Sequence, residues 1–448
     1  MKLLVVSYWY PPSVSPRAFR WSALAEHWAA HGWEVHVVAG WSPELARRER
    51  IGGVEVYRPG VHVRGTARRL LGRLRGGADA RVGAAAVSPP PLARAARWLY
   101  ERSWGRVCWP DDAGLWIPAA ARLAARLARE HRFDALVTVS HPFSAHLVGS
   151  LVHGRMGGVP WVADVGDPFA FLADTPVNNH ALYGPLNRAA ERAVLRRCTA
   201  AAVTVEGARA AYARHFPESG AKLRVIPPLL APARLDPAPA FAADGALRLV
   251  FSGNLYSRVR TPDFALRLAD ALRARMPGRR LELHFFGNVR QCAASFAPRR
   301  AELGRTLFLH GVVDRADALR ALRDADVLVN LGNRTSYQLP SKTVEYVASG
   351  RPVLNLVPGG GDTSAAFFEG YPAALTVAEE PGGPAAATVD RVAAWIAGAA
   401  PLPAREVERW TAAHVPEAVA AAYEALLRAE GVRAPRPAVL AAAGEGAP

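Results

Sequence analysis

Residues 1–39, MKLLVVSYWYPPSVSPRAFRWSALAEHWAAHGWEVHVVA, decide the fold. Leu3 to Ser7 is a short apolar run that reads as a strand, and the Pro11–Pro12 pair breaks the chain after it. Residues 17–31 carry apolar side chains at helical spacing (Ala18 or Phe19, Trp21, Ala25, Trp28), and Gly32 stands where a helix ends on glycine. Glu34 to Ala39 is the next strand. Strand, helix and strand at this length imply a right-handed parallel crossover, the unit of a doubly wound sheet.

The alternation resumes at residue 115, with a helix over 116–131 and a strand at Ala135–Val139. A helix starting within His141–Gly149, a strand at Trp161–Val165, a helix over about 183–198 and strands at Ala201–Val205 and Lys222–Ile226 follow. Pro227–Pro228 opens a Pro/Ala-rich stretch that reads as a linker over 229–243. A second series begins beyond it, with strands at Leu247–Phe251, Leu281–Phe286, Leu307–His310, Val327–Asn330, Pro352–Leu356 and Ala373–Val377. Its helices are read over 263–275, 315–324, 341–349 and 386–398. The expectation is an α/β protein of two doubly wound Rossmann-like domains, 1–228 and 244–414, facing each other across a cleft. Ligands of open α/β sheets bind outside the carboxyl ends of the strands, so the site belongs there. A helix at 415–430 is expected to pack back on the first domain, and the Pro/Ala/Gly-rich 431–448 to be a disordered tail. Residues 61–106 form a basic, amphipathic insert around a Gly/Ala/Pro stretch at 76–91. Such helices either cover a core as ordinary surface elements or lie on an anionic membrane.

The chain has 448 residues and a formal charge of +16, from 55 basic and 39 acidic side chains. That balance fits an anionic partner such as nucleic acid, acidic lipid or a nucleotide substrate; an arginine-rich solvated surface accounts for it equally well. Nucleic acid ranks last, because no helix-turn-helix, zinc or RNP-type motif accompanies the charge. No apolar run reaches membrane-span length. The first apolar run is too brief for a signal peptide and meets Tyr8–Pro12 instead of a cleavage site, so a cytoplasmic location is expected. Cys108, Cys198 and Cys292 are far apart, without metal-ligand spacing, and read as reduced, buried thiols.

Lysine occurs only at 2, 222 and 342, and the last lies in the most specific stretch, LPSKTVEYVASGRPVL, residues 339–354. Pro340 suits the first turn of a helix and Gly350 its end. Free N–H groups at such a start attract phosphate. Lys342 and Glu345 share a helix face, an ammonium for a diphosphate and a carboxylate for ribose hydroxyls; a plain surface ion pair is the alternative. The strand at 247–251 runs into FSGNLYSRVR, residues 251–260, where Gly253 lets backbone approach a ligand and the arginines beyond can neutralise a leaving diphosphate. Gly287 ends the next strand in the same way. In the first domain His141 follows a strand and faces the cleft, able to donate to a phosphate or sugar hydroxyl; a solvated loop histidine is the alternative, and His146 lies one turn later. Asp164 and Asp167 sit at another strand end, suited to acceptor hydroxyls, to acid/base work or to capping a loop.

Together these stretches resemble family 4 of the GT-B glycosyltransferases, over roughly 1–45 and 130–430. Residues 339–354 are similar to the P-S-K-x-x-E-Y-x-A-x-G-x-P-V donor segment of one subgroup, which implies that Lys342, with Ser341 at the helix start, binds the diphosphate and Glu345 the ribose. Many members carry a second Glu eight residues earlier, where this chain has Tyr337. Residues 253–260 are similar to the G-x-L-Y-x-x-x-R turn, which implies the phosphate role for Arg260, with Arg258 as the alternative, and places Gly287 near the nucleobase. Many relatives have a histidine where His141 stands, and D-x-x-D-P matches Asp164–Pro168. Pro110, Asp111, Asp112 and Trp116 look like a further subgroup feature. The opening loop matches Y-x-P-P, with Ser13–Pro16 where most relatives have glycines and Arg17 or Arg20 as the substitute phosphate contact. The resemblance implies retaining transfer of a sugar from a nucleotide-diphosphate donor to a glycan, lipid-linked or small-molecule acceptor, without a protein nucleophile. The resemblance implies a metal-independent enzyme of this fold, so no cofactor or metal is expected. A lipid-linked acceptor would bring the protein to the inner face of the plasma membrane. The rival readings are a non-catalytic sugar-nucleotide sensor or scaffold, which Tyr337 and the replaced glycines favour, and another enzyme of this fold, such as a sugar-nucleotide epimerase or a phosphorylase.

Overall fold

The computed structural model of the protein describes residues 1–60, 107–172, 175–234, 236–359 and 361–429. The basic insert at 61–106 and the tail at 431–448 lie outside the described residues.

The first lobe is built on an eight-stranded sheet. Its strands are β1 (Lys2–Ser7), β2 (Glu34–Val38), β3 (Arg48–Ile51), β4 (Val54–Tyr57), β5 (Ala135–Val139), β6 (Trp161–Asp164), β7 (Ala200–Val203) and β8 (Leu223–Val225), in the order β3-β4-β2-β1-β5-β6-β7-β8. All pairs are parallel except β3 with β4. That hairpin is absent from the sequence reading, although Ile51-Gly52-Gly53-Val54 carries its signal. Gly52 and Gly53 have φ of +54° and +86°, the left-handed pair that a two-residue hairpin turn demands.

Helix α1 (Pro16–Ala30) covers one face of this sheet. Ser15 accepts from the Ala18 N–H, Pro16 occupies the first turn, and Trp21, Leu24, Ala25 and Trp28 form its fully buried stripe. Burying each leucine-sized side chain there contributes about 1.5–3 kcal/mol. Helices α2 (Ile117–His131), α3 (Ser144–Val152), α4 (His180–Arg197) and α5 (Glu206–His215) complete the lobe; α5 is also absent from the sequence reading.

The second lobe has six parallel strands, β9 (Leu247–Ser252), β10 (Leu281–Phe286), β11 (Leu307–Gly311), β12 (Val327–Leu331), β13 (Val353–Val357) and β14 (Ala374–Ala378). Their order, β11-β10-β9-β12-β13-β14, is the 3-2-1-4-5-6 arrangement of a Rossmann sheet. Its helices longer than four residues are α6 (Asp263–Arg275), α7 (Arg315–Asp324), α8 (Lys342–Ser349), α9 (Thr363–Phe367), α10 (Ala386–Gly398) and α11 (Ala404–Thr411). The strand order reverses between β1 and β5 in one lobe and between β9 and β12 in the other. These two switch points define the cleft.

The connection between the lobes is tied down along its length. Arg315 donates to the Ala231 and Pro232 carbonyls, and Arg323 to those of Asp236 and Ala238. The last helix, α12 (Pro416–Ala429), crosses back to the first lobe, where Val419, Ala420, Tyr423 and Leu427 are fully buried with Trp21 and Trp28. No helix among the described residues is long and apolar enough to cross a membrane.

Candidate functional site

In the first lobe, β5 ends at Val139 and α3 starts at Ser144, so His141 sits on the short turn at the switch point. Asp111 fixes that turn from below. Its carboxylate accepts from the Ser144 N–H (2.9 Å), the Ser144 hydroxyl (2.6 Å) and the Ala113 N–H (3.0 Å). Burial pushes the Asp111 carboxyl above its ordinary range, against those donors. Phe143 stacks on Phe169 with centroids 3.9 Å apart, which joins the His141 turn to the loop after β6. Buried Glu191 of α4 holds that loop, accepting from the Phe169 (3.1 Å) and Ala170 (2.8 Å) N–H groups and from the Tyr212 hydroxyl (2.5 Å). Asp167 is thereby brought to His141, with Oδ2 3.5 Å from Nδ1. Partial burial raises the Asp167 carboxyl, but the His141 and Gln338 contacts outweigh it and hold it at about 2. His141 Nε2, on the other side of the ring, is buried and has no protein partner.

Asp164 and Asp167 separate in the structure. Asp164 is fully buried and is consumed inside the lobe: Trp21 Nε1 donates to Oδ2 at 2.6 Å and Arg17 Nη1 at 3.1 Å, with Arg20 Nε 3.9 Å away. An acceptor or acid/base role does not suit that position; Asp164 anchors α1 to β6. Arg20 is equally internal, donating to the Pro227 carbonyl (2.7 Å) and the Tyr423 hydroxyl (3.2 Å). Arg17 retains some exposure, and its guanidinium lies where a Cβ on Gly166 would stand, 1.9 Å from Nη2. The Ser13–Pro16 stretch closes the start of α1 through the Ser15 cap, ahead of Arg17 and Arg20. His146 is core: its Nδ1 lies 2.7 Å from the Thr138 hydroxyl, and burial lowers its pKa to about 3.

In the second lobe, α8 begins beyond β12 with Ser341 exposed at its start. Lys342 Nζ donates to Glu345 Oε2 at 2.7 Å, and Arg315 Nη2 stands 3.4 Å from Glu345 Oε1. The Arg315 guanidinium lies over the Phe19 ring of α1, 4.9 Å from its centroid, so this charged group faces the other lobe. Tyr346 ties α8 to the end of β9 by accepting from the Ser252 N–H at 2.8 Å. Arg260 turns inward beside Gly253 and donates to Asn333 Oδ1 through Nε (3.1 Å) and Nη2 (2.7 Å). Arg258 is exposed and lines a rim cavity with Tyr256, Thr175 and Pro176. Of the two arginines, Arg260 therefore occupies the switch point. Gly287 has φ +126°, and a Cβ there would stand 2.1 Å from the Gly253 carbonyl oxygen. The close approach that requires glycine at 287 is between the two turns themselves.

The lobes meet through residues 336–338. Tyr337 packs edge-on against Phe171 of the first lobe at 5.6 Å, and a Cβ on Gly207 would stand 1.9 Å from the Ser336 carbonyl oxygen. Gln338 Nε2 donates to Asp167 Oδ1 at 2.8 Å, while its carbonyl accepts from Asn333 Nδ2 at 3.1 Å. Arg260, Asn333, Gln338, Asp167 and His141 thus form one chain of polar contacts from switch point to switch point. Asn333 and Gln338 carry no motif, and neither appears among the residues singled out in the sequence. Gln338→Ala cuts this chain at its one cross-cleft bond. It is expected to raise the donor KM several-fold with only a small change in melting temperature, since a single part-buried hydrogen bond contributes about 1 kcal/mol; initial rates and a thermal melt check both.

Solved structures of known proteins share this architecture over the whole chain. Sucrose-phosphate synthase from Thermosynechococcus elongatus matches with a TM-score of 0.61 at 16% sequence identity, covering 96% of this chain and 98% of that one. An α,α-trehalose 6-phosphate synthase from Burkholderia multivorans matches with a TM-score of 0.56 at 14% identity, covering 96% and 98%. A glycosyltransferase from Rickettsia africae gives 0.53 at 12% identity, with coverage of 96% and 98%. These likenesses identify the fold as GT-B. No protein-family model and no curated protein matches the sequence.

Proposed function

We propose that the chain is a glycosyltransferase that moves a sugar from a nucleotide-diphosphate donor to a glycan, lipid-linked or small-molecule acceptor. The observation that carries this reading is the polar chain from Arg260 to His141, which links the turns at both switch points. The names of the structures that share the fold, two sugar-phosphate synthases and a glycosyltransferase, support the same class.

In this reading the donor diphosphate lies between the start of α8 and Arg260. Lys342 exchanges its Glu345 contact for phosphate oxygens, and Glu345, still held by Arg315, accepts from the ribose hydroxyls. Fixed positive charge in a cleft that excludes water stabilises the charge growing on the leaving diphosphate. Arg17 and His141 face the transferred sugar from the first lobe. His141 is oriented through Nδ1 by Asp167, which leaves Nε2 for a donor phosphate or sugar hydroxyl. Retention of configuration and independence from metal follow the family resemblance of residues 339–354. Contact with an anionic membrane through 61–106 is part of the same reading for a lipid-linked acceptor.

Thermal melts of the full chain against UDP-, GDP-, ADP- and TDP-sugars test the donor site. One of them is expected to raise the melting temperature in a concentration-dependent way, because a ligand bound only by the folded state stabilises it by mass action. No shift with any nucleotide sugar at millimolar concentration removes the proposal.

A further inference from the structure

We propose that Glu34, His36 and His131 form a divalent-metal site of the zinc class, at the amino ends of the first lobe's strands and away from the cleft. Glu34 and His36 are alternate residues of β2, so their side chains leave the same face of the sheet. His131 is the last residue of α2, and its ring lies 4.2 Å from that of His36, centroid to centroid. Glu34 Oε1 stands 3.0 Å from His36 Nε2 and 3.2 Å from His131 Nδ1, and all three ligand atoms lie within 4.8 Å of one another. Around a tetrahedral Zn2+ with bonds of about 2.0–2.1 Å, ligand atoms are separated by about 3.3–3.4 Å. The two carboxylate–imidazole separations are close to those values, and three protein ligands leave one position for water.

The surroundings orient these groups as outer partners of a metal site do. The Tyr57 hydroxyl lies 3.3 Å from His36 Nδ1, so a proton carried on Nδ1 has an acceptor there when Nε2 serves as the ligand. Phe133 meets the His36 ring edge-on at 5.2 Å. Lys2 Nζ binds the other carboxylate oxygen, Glu34 Oε2, at 2.8 Å, which holds the carboxylate while Oε1 stays directed at the two imidazoles. The turn after His131 is the one place among the described residues where a non-glycine adopts positive φ, Arg132 at +50°. It brings Asp134 to the Lys2 N–H at 2.7 Å and so fixes the end of α2 against the start of the sheet. Two imidazoles and one carboxylate select a zinc-class ion over Ca2+ or Mg2+, which prefer oxygen ligands. Bound there, the ion braces α2 to β2 and takes no part in sugar transfer.

The test is a calorimetric titration of the tag-free, chelator-stripped full chain with Zn2+, with Co2+ absorption as a second readout. Expected are one equivalent bound per chain, a melting temperature that rises with Zn2+, and visible Co2+ bands of low coordination number. His131→Ala and Glu34→Gln should each weaken binding at least about tenfold. His131 is partly exposed at a helix end, so His131→Ala should melt like the parent chain when both are in chelator. Absence of saturable Zn2+ binding, or binding that survives both substitutions, overturns the assignment.

Discussion

Lys342→Ala is expected to lower sugar transfer by about two to three orders of magnitude, the usual effect of removing one preorganised donor from a site of developing negative charge. The side chain is about 29% exposed and its present partner is Glu345, one turn along α8, which keeps Arg315 as a second cation when Lys342 is removed. The carboxylate is therefore not left unpaired, and the melting temperature should change little. Lys342→Arg is expected to recover part of the rate. Arginine keeps the charge, but its planar fork does not reproduce a compact ammonium on a flexible stem. The measurement is the initial rate with the donor identified by thermal melting, alongside that donor's affinity. A full rate in Lys342→Ala would remove the diphosphate from α8. The chain uses arginine almost wherever it needs a basic residue, which makes a lysine at this helix start a chemical choice.

The alternation of apolar runs and helical stripes made both lobes legible, because parallel strands buried on both faces read as continuous apolar segments. β10 and α6 fall on the residues that periodicity alone assigns. The β3–β4 hairpin is harder to see: Arg48–Ile51 is a polar edge strand without apolar alternation, and only Gly52–Gly53 marks it. The candidate site was legible where a residue type departs from its background, as at Lys342, or where a motif closes a strand, as at His141. Asn333 and Gln338 were not legible. Their importance comes from folding β12's exit loop across the cleft onto Asp167, and no spacing rule encodes a bond between residues 171 positions apart. Glu191 is hidden for a related reason: it organises a loop through backbone N–H groups, which have no sequence signature. Asp111 stands out only as part of the Pro110–Trp116 pattern, which does not reveal its contacts to Ser144 and Ala113.

The pair Asp164 and Asp167 shows what the linear pattern leaves open and how experiment separates the two. Asp164→Ala should destabilise the first lobe by about 3–5 kcal/mol, the cost of stripping one partner from a buried charge cluster. The substitution removes the acceptor of Trp21 and the counter-charge of Arg17 and Arg20 together. Asp164→Asn keeps an acceptor for Trp21 and should fall between the two chains. Chemical unfolding followed by tryptophan fluorescence reports this directly, since Trp21 and Trp28 lie in the affected core. Asp167→Asn should behave in the opposite way. Its side chain is about 42% exposed, so little stability is at stake, and that little is present above the ordinary carboxyl range and lost as pH falls toward 2. Transfer, however, should drop about a hundredfold, because His141 loses the group that sets its ring, and a misplacement of about 1 Å at a reacting group costs that much. If Asp164→Ala melts like the parent chain while Asp167→Asn transfers at the full rate, the division of labour between these two carboxylates is wrong.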